Sequence, residues 1–524
     1  MNNHYDAIVI GSGIGGLTAA AILAKQQKKR VLVLERHWLA GGQTHAFKRK
    51  GGYSWDVGLH YVGDMAPGSD TRVIMDYITN GQVQWELQPG GVDEFHYPDL
   101  NLHQGNDFEQ FRNKLELLFP KQKKGIASYF QALERAQQSL KLLWVAKVMP
   151  PFVSTILTGW ARFRHRDIMG TTQAWLDHHI DDPKLQALLT SQWGDYGLTP
   201  DTSAFLTHAL IVNHYRNGAW YPVGGARRLA EAIVPIIEEN GGKVQVQTTV
   251  NQIVVEDGCA VGVDASRFRR SGNIEESWRA PQIFSAIGAY STYHNLLREQ
   301  DFTREKRESE ALLAASNSAV TLYLGLKEDP AKFGFTGVNH WMYRDFNHNQ
   351  NRHHVKALLN GEIYGGFLSF PSMKDRDASA HTAEVVVHCP WDAFAEWNDK
   401  PWRHRGQEYE ILKKKISQGI LDLVEEFFPG FHQLVDYHEL STPVTLAYFT
   451  NHPKGSFYGL PGTPERYKAK VVGPRTPVKN CYLAGTDAAS MGIVGAMMGG
   501  IMGVSSSMGM RGFPEVMGKI INGK

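Results

Sequence analysis

The sequence predicts an α/β chain with a discontinuous Rossmann-type dinucleotide-binding domain, built on a glutathione-reductase-like βαβ unit, and a mixed-sheet plus helical second domain. Three observations predict it. The chain opens on a strand, a glycine-rich turn, a helix and a second strand that ends in an acid. It closes on a short apolar strand, Gly485-Thr486-Asp487 and a helix of small residues. Between the two ends, long helical patterns alternate with short strand patterns. The length agrees, since 524 residues are too many for one core of ordinary size.

Ala7-Ile8-Val9-Ile10 is the first strand, and Gly11-Ser12-Gly13-Ile14-Gly15-Gly16 follows it. A helix that is apolar almost all round runs from Leu17 to Ala24, and Arg30-Val31-Leu32-Val33-Leu34 leads to Glu35-Arg36. Gly11 permits the tight turn, Gly13 lets backbone amides approach a pyrophosphate, and Gly16 lets the helix pack closely on the sheet. The helix N-terminus offers unpaired N–H groups and partial positive charge to the phosphates. Glu35 is placed to accept hydrogen bonds from a ribose. The expected contacts here are Gly11, Gly13, Ile14, Gly15, Gly16, Glu35 and Arg36. A nicotinamide-binding domain would continue with further βαβ units, and this chain does not. No second strand–GxGxxG–helix unit is visible, so electrons are expected to reach or leave the protein through an external donor or acceptor. Instead Gly41-Gly42 and Asp56-Val57-Gly58-Leu59-His60 follow, where glycines let backbone pass beside an extended cofactor such as FAD.

Residues 76–214 read as mainly helical, with helices at Phe108–Leu118 and Gly125–Val148 and strands near Val83–Trp85 and Phe95–Tyr97. Tyr221-Pro222-Val223-Gly224-Gly225 leads into a helix over Ala226–Glu239, stopped by Asn240-Gly241-Gly242. Val244-Gln245-Val246 returns to the parallel sheet. Asn251–Glu256 and Cys259–Ser266 form a hairpin around Asp257-Gly258. Ile283–Gly288 is a buried strand leading to a cofactor-side loop, and Val250 and Gly288 are expected beside the cofactor. Near the C-terminus, Asn480–Ala484 is a strand. Gly485 and Asp487 follow, the acid suited to ribityl hydroxyls. The start of the next helix, Gly492-Ile493-Val494, faces the pyrimidine edge of a flavin. The dinucleotide domain is thus expected over 1–75, 215–290 and 470–524. The second domain takes 76–214 and 291–469, with strands at Ala319–Leu326, Ile363–Phe370 and Ala383–His388.

Several classes are excluded by composition. A net charge of +2 argues against a nucleic-acid binder. Three scattered cysteines, Cys259, Cys389 and Cys481, make neither a disulfide framework nor a zinc cluster, and fit a reducing compartment. His348, His353 and His354 read as a solvated loop, so no metal is expected. Lys413-Lys414-Lys415 reads as a solvated helix face, and His178-His179 as a helix end. Neither a signal peptide nor a membrane-spanning run is visible; the nearest candidates, Leu142–Ala161 and Ala488–Met510, are too interrupted or too weakly lipophilic. The apolar stretch 141–166 carries Trp144, Phe152 and Trp160, with Lys141, Lys147, Arg162, Arg164 and Arg166 flanking or punctuating it. It is expected to dock on a membrane surface as two arms broken at Pro150-Pro151, or else to form a core helix pair. A cytoplasmic protein, peripheral on a membrane, is the expectation.

These motifs together resemble the phytoene desaturase, carotenoid isomerase and retinol saturase family of FAD proteins, most of all its retinol saturase and carotenoid isomerase branch. The residues that carry the resemblance are Ile10–Leu17, Val31–Glu35 with Gly41-Gly42, Asp56–Tyr61, Tyr221–Gly225, Gly485–Asp487 and Gly492–Ala496. The N-terminal match alone would fit amine oxidases as well. The resemblance implies FAD, a lipophilic polyene substrate and chemistry at carbon–carbon double bonds. Saturation or desaturation by a flavin oxidoreductase, redox-neutral isomerisation and a non-catalytic carrier are the classes to separate, and ribityl and flavin-facing motifs disfavour the carrier. His60, Tyr61 and Tyr221 are the candidate proton donors.

Overall fold

The computed structural model describes residues 4–311, 318–353, 355–469 and 471–523. Five strands, Cys481–Leu483, Ile283–Ser285, Ala7–Ile10, Val31–Leu34 and Lys243–Gln245, lie side by side in that order, all parallel. Ala7–Ile10 and Val31–Leu34 are buried along their whole length, as a parallel sheet covered on both faces requires. The helix Ile14–Gln27 is buried nearly all round because the helices Gly492–Ser507 and Arg227–Glu239 both pack on it. The glycines of Gly492–Ser507 are explained by that packing. A Cβ on Gly499 would stand 1.9 Å from the Gly485 carbonyl oxygen, and one on Gly500 would stand 2.4 Å from that of Gly15.

The expected hairpin forms over Thr248–Glu256 and Cys259–Arg267, with Glu256 opposite Cys259. Asp257 and Gly258 turn with φ of 48° and 74°, the left-handed pair that a tight two-residue turn needs. A third strand, Ile274–Arg279, extends it.

The second sheet has seven strands in the order Val435–Ser441, Ser318–Leu326, His381–Cys389, Gly365–Ser369, Asn339–Tyr343, Asp93–Tyr97 and Leu100–Gln104. All its neighbours are antiparallel except Asn339–Tyr343 with Asp93–Tyr97. The helices Phe108–Leu118, Lys123–Val148 and Phe205–His214 share one hydrophobic core with its Trp341 and Phe367 face. The strand read near Val83–Trp85 falls instead at Trp85–Leu87, where it pairs with Trp220–Pro222 and draws the Tyr-Pro-Val-Gly-Gly segment into a ladder.

Two expectations are corrected. His348 is not solvated: it is 4% exposed, with Nε2 3.0 Å from both the Tyr97 hydroxyl and the Ala187 carbonyl oxygen, and burial lowers its pKa to about 4. His354 lies outside the described residues. The stretch 141–166 does break in two, into Lys123–Val148 and Pro151–Arg164, and Arg475 clamps the break by donating to the Val148 and Met149 carbonyls. The two arms differ, however. Leu143, Ala146 and Val148 are buried, and burial pulls the Lys147 ammonium down to about 7, so this arm is core and not a docking surface. Among the described residues no helix is long and apolar enough to cross a membrane.

Candidate active site

A cavity of about 1020 Å³ runs from the first glycine turn into the space between the two sheets. Gly11, Gly13, Ile14 and Gly15 line one end with Glu35, Arg36, Gly41 and Gly42. Gly58, Leu59, His60, Val250 and Gly288 continue the wall, and Gly485, Gly492, Ile493 and Val494 close it from the C-terminal side. Gly16 and Asp487 lie behind the wall instead. A Cβ on Gly16 would stand 2.1 Å from the Gly11 carbonyl oxygen, so this glycine serves the packing of helix on turn. The Asp487 carboxylate is taken up by protein, accepting from Ala289 N–H at 2.8 Å and Leu460 N–H at 3.0 Å.

The residues present fit a dinucleotide. A Cβ on Gly13 would meet nothing within 4 Å, so its backbone is open to the cavity at the start of the helix Ile14–Gln27. One on Gly42 would stand 2.8 Å from Gly13 Cα, which explains the paired glycines past the acid. Glu35 is held in place: its Oε2 accepts from the Ser12 N–H at 2.9 Å and the Ser12 hydroxyl at 2.7 Å, and Oε1 from the His37 N–H at 2.7 Å. Arg36 donates to the carbonyls of Tyr448 and Phe449 and so fixes the segment across the mouth.

Deeper in, polar side chains cluster against an otherwise aromatic wall. His60 Nδ1 lies 2.8 Å from Oε1 of Glu384, which is fully buried. This contact fixes the orientation of the ring and leaves Nε2 as its other polar atom. Lys374 donates to the His60 carbonyl at 3.0 Å, the Ser369 hydroxyl at 2.7 Å and the Asn339 side chain. The Tyr61 hydroxyl donates to Asp195 Oδ2 at 2.7 Å and lies 3.3 Å from Asp93 Oδ2, and its ring stacks on Tyr215 at 4.4 Å between centroids. Gln192 donates to Asp93 at 2.6 Å.

Burial raises the Asp93 carboxyl to about 6. It raises Asp195 well above the carboxylate range, and the neighbouring charge of Asp93 adds to the shift. Asp195, His60 and Tyr61 all line the cavity. Tyr221 does not: it is 2% exposed and donates to Asp56, which also accepts from Ala226 N–H at 2.9 Å. It therefore ties the Tyr-Pro-Val-Gly-Gly segment to the strand that precedes Gly58 and positions that loop.

Four members of this cluster escaped sequence reading: Asp93, Asp195, Lys374 and Glu384. Glu384 left a trace, as a lone charge in the apolar strand Thr382-Ala383-Glu384-Val385-Val386-Val387. Asp195 left none, since a Gly-Asp pair in an aromatic run reads as a turn. Ser12 occupies the variable position of the glycine motif, which gives it no signal of its own.

Comparison with known proteins agrees with this geometry. A profile described as flavin containing amine oxidoreductase matches residues 14–503. The all-trans-retinol 13,14-reductase of Danio rerio is 32% identical over 95% of this chain and 84% of its own length, and that of Homo sapiens 30% over the same shares. The chloroplastic prolycopene isomerase of Arabidopsis thaliana is 25% identical over 95% of this chain and 82% of its own. Among solved structures, an oxidoreductase from Methanosarcina mazei superposes with a TM-score of 0.60 at 18% identity, covering 94% of this chain and 98% of the other. Putrescine oxidase bound to putrescine gives 0.62 at 14% identity, covering 96% and 98%. At such identities the solved structures speak to the fold alone. The protein is a flavin-dependent oxidoreductase, and the chain belongs to the flavin-containing amine oxidoreductase family, in the branch of the retinol 13,14-reductases and prolycopene isomerases.

Proposed function

We propose that the cavity binds FAD and a lipophilic polyene, retinoid-like or carotenoid, and that the enzyme saturates one of the polyene's carbon–carbon double bonds. The observation that carries this reading is the place of Asp195 on the wall of an aromatic cavity, bonded to Tyr61 and beside Asp93, where burial first and then the charge of Asp93 raise its carboxyl well above the ordinary value and favour the proton-bearing form. Saturation needs a hydride at one carbon and a proton at its neighbour. When bound, the flavin supplies the hydride chemistry. Asp195 supplies the proton, and Tyr61 holds its carboxyl in place. The Glu384–His60 contact holds the imidazole, next to Leu59 on the same loop, on the cavity wall, where it can exchange a proton or hydrogen-bond a substrate hydroxyl. An external two-electron donor restores the cofactor.

Likeness to a prolycopene isomerase favours a second reading, in which the same acid gives a proton to the polyene and takes one back without net redox change. The test separates them. Anaerobic, chemically reduced enzyme is mixed with retinol, carotenoids and polyunsaturated fatty acids, and flavin reoxidation and product mass are followed. A gain of two hydrogens is expected. An unchanged mass with shifted retention assigns isomerisation, and a loss of two hydrogens from oxidised enzyme assigns desaturation. Rapid flavin reduction by an amine, with no lipid transformed, overturns the proposal.

We further propose a peripheral place on a membrane surface, through the second arm of the broken stretch. Phe152, Ile156, Trp160 and Phe163 recur along one stripe of the helix Pro151–Arg164, and all are exposed, Phe163 by 86%. Arg164, over the Trp160 ring, and Arg166 border the stripe with exposed charge. Each basic side chain near an anionic surface adds about 1 kcal/mol. Flotation with phosphatidylserine vesicles should recover the wild type and leave a Phe152→Glu/Phe163→Glu variant at the bottom of the gradient. Equal flotation of both, or of neither, removes the proposal.

A further inference from the structure

Glu94, His96 and His340 play no part in the chemistry above. Glu94 and His96 are two residues apart on the strand Asp93–Tyr97 and so share a face. His340 stands in register with Glu94 on the parallel neighbour Asn339–Tyr343. Asp93 and Trp341, the alternate positions of these strands, serve the cavity side, so the three residues lie on the opposite face of the sheet.

His96 Nε2 is 3.0 Å from His340 Nδ1. Glu94 Oε2 is 3.4 Å from that His340 nitrogen and 3.9 Å from the His96 nitrogen. Three atoms at those separations all lie about 2.0 Å from one common point, which is the bond length zinc makes to imidazole nitrogen and carboxylate oxygen. Polar contacts among the three side chains hold this triangle together without an ion, and they leave all three ligand atoms facing one point.

The surroundings are those of a built site. The Phe428 ring stands edge-on to both imidazoles, with centroids 5.2 and 5.0 Å away, and excludes water from that side. Both histidines are buried, whereas the Glu94 side chain is 33% exposed and opens a path to solvent. His103 lies directly opposite Glu94 on the antiparallel strand Leu100–Gln104 and is half-buried, bordering the cluster.

We infer that Glu94, His96 and His340 bind one divalent transition-metal ion of the zinc class. The ion would pin the hairpin 93–104, the edge of the seven-stranded sheet, to its parallel neighbour. No redox change accompanies binding, because zinc has a single stable oxidation state and acts here as a cross-link.

The experiment uses tag-free, flavin-loaded protein, stripped with a chelator, incubated with zinc and passed through a desalting column. Metal content and the thermal midpoint are then measured. The expected result is about one zinc per chain and a raised midpoint, with Glu94→Gln, His96→Gln and His340→Gln each losing at least about tenfold in affinity. The exposed Glu94→Gln is the variant least able to disturb folding, and unchanged flavin absorbance and far-ultraviolet circular dichroism check it. Cobalt should give ligand-field bands to the red of the flavin, absent from the same variants. Wild type that retains no zinc overturns the inference, and so does full retention by the variants, which would place the metal elsewhere.

Discussion

Asp195→Asn should reduce the rate of lipid transformation by about 10²–10⁴-fold, the usual contribution of a positioned acid, while leaving flavin absorbance intact. Asparagine keeps the shape and the acceptor for Tyr61 but has no acidic proton. The measurement is single-turnover reoxidation of reduced flavin by a reacting polyene, under anaerobic conditions. In the wild type the reactive form is the neutral acid, so the rate should be full at low pH and fall as pH rises through the elevated pKa. That limb should vanish in the variant. The same shift bears on stability with a defined sign. An ordinary aspartate ionises at about 4, whereas folded Asp195 holds its proton well above that. The native state then binds more protons than the unfolded one, and stability falls as pH rises across that interval. Asp195→Asn should therefore raise the thermal midpoint at neutral and alkaline pH while it destroys activity. Loss of activity with loss of stability would mean a structural role instead.

The second large effect is expected at Glu35. Glu35→Arg should yield a folded protein that is colourless, or that releases its flavin on gel filtration. The carboxylate is preorganised by two donors from Ser12 and one from His37. An arginine there loses those contacts and crowds cationic Arg36 at the glycine-turn end of the cavity. Hydrogen bonds to a charged group contribute roughly 1.5–3 kcal/mol each, so weakening of at least about tenfold in cofactor affinity is expected. Equilibrium titration with FAD, read by quenching of flavin fluorescence, measures it. Undiminished affinity would show that the cofactor lies elsewhere.

What the sequence discloses follows from how local each signal is. The βαβ unit, the Asp257-Gly258 hairpin and the helix stopped at Asn240-Gly241 are written in consecutive residues, because turn chemistry and periodicity act over a few positions. The glycine positions of the cradle were legible for the same reason. The acid cluster was not. Asp93, Asp195, Lys374 and Glu384 meet from four separate segments, and none is unusual among its immediate neighbours except Glu384. Their unusual chemistry is produced by burial, which a linear pattern does not report. The apolar run at 141–166 shows the converse error. Hydrophobicity along the chain was real, but which arm faced solvent depended on Arg475 and the core beneath, both remote in sequence. His348 is hidden likewise, since its polar neighbours give no sign of a buried ring paired with Tyr97.

The glycine seam carries a consequence for biogenesis. Gly15, in the first helix, touches Gly485 and Gly500, at the far end of the chain. The pocket wall on that side is supplied by Gly492–Val494, and the parallel sheet is completed only by Cys481–Leu483. A nascent chain emerging from the ribosome thus has its first glycine turn long before it has the opposite wall of the cavity. On the proposed placement of the flavin, its capture must wait until residues 481–496 have been made, because they supply the opposite wall of the cavity. Such long-range closure is slow relative to local folding. Cofactor supply after both walls have been made should therefore govern how much active enzyme accumulates.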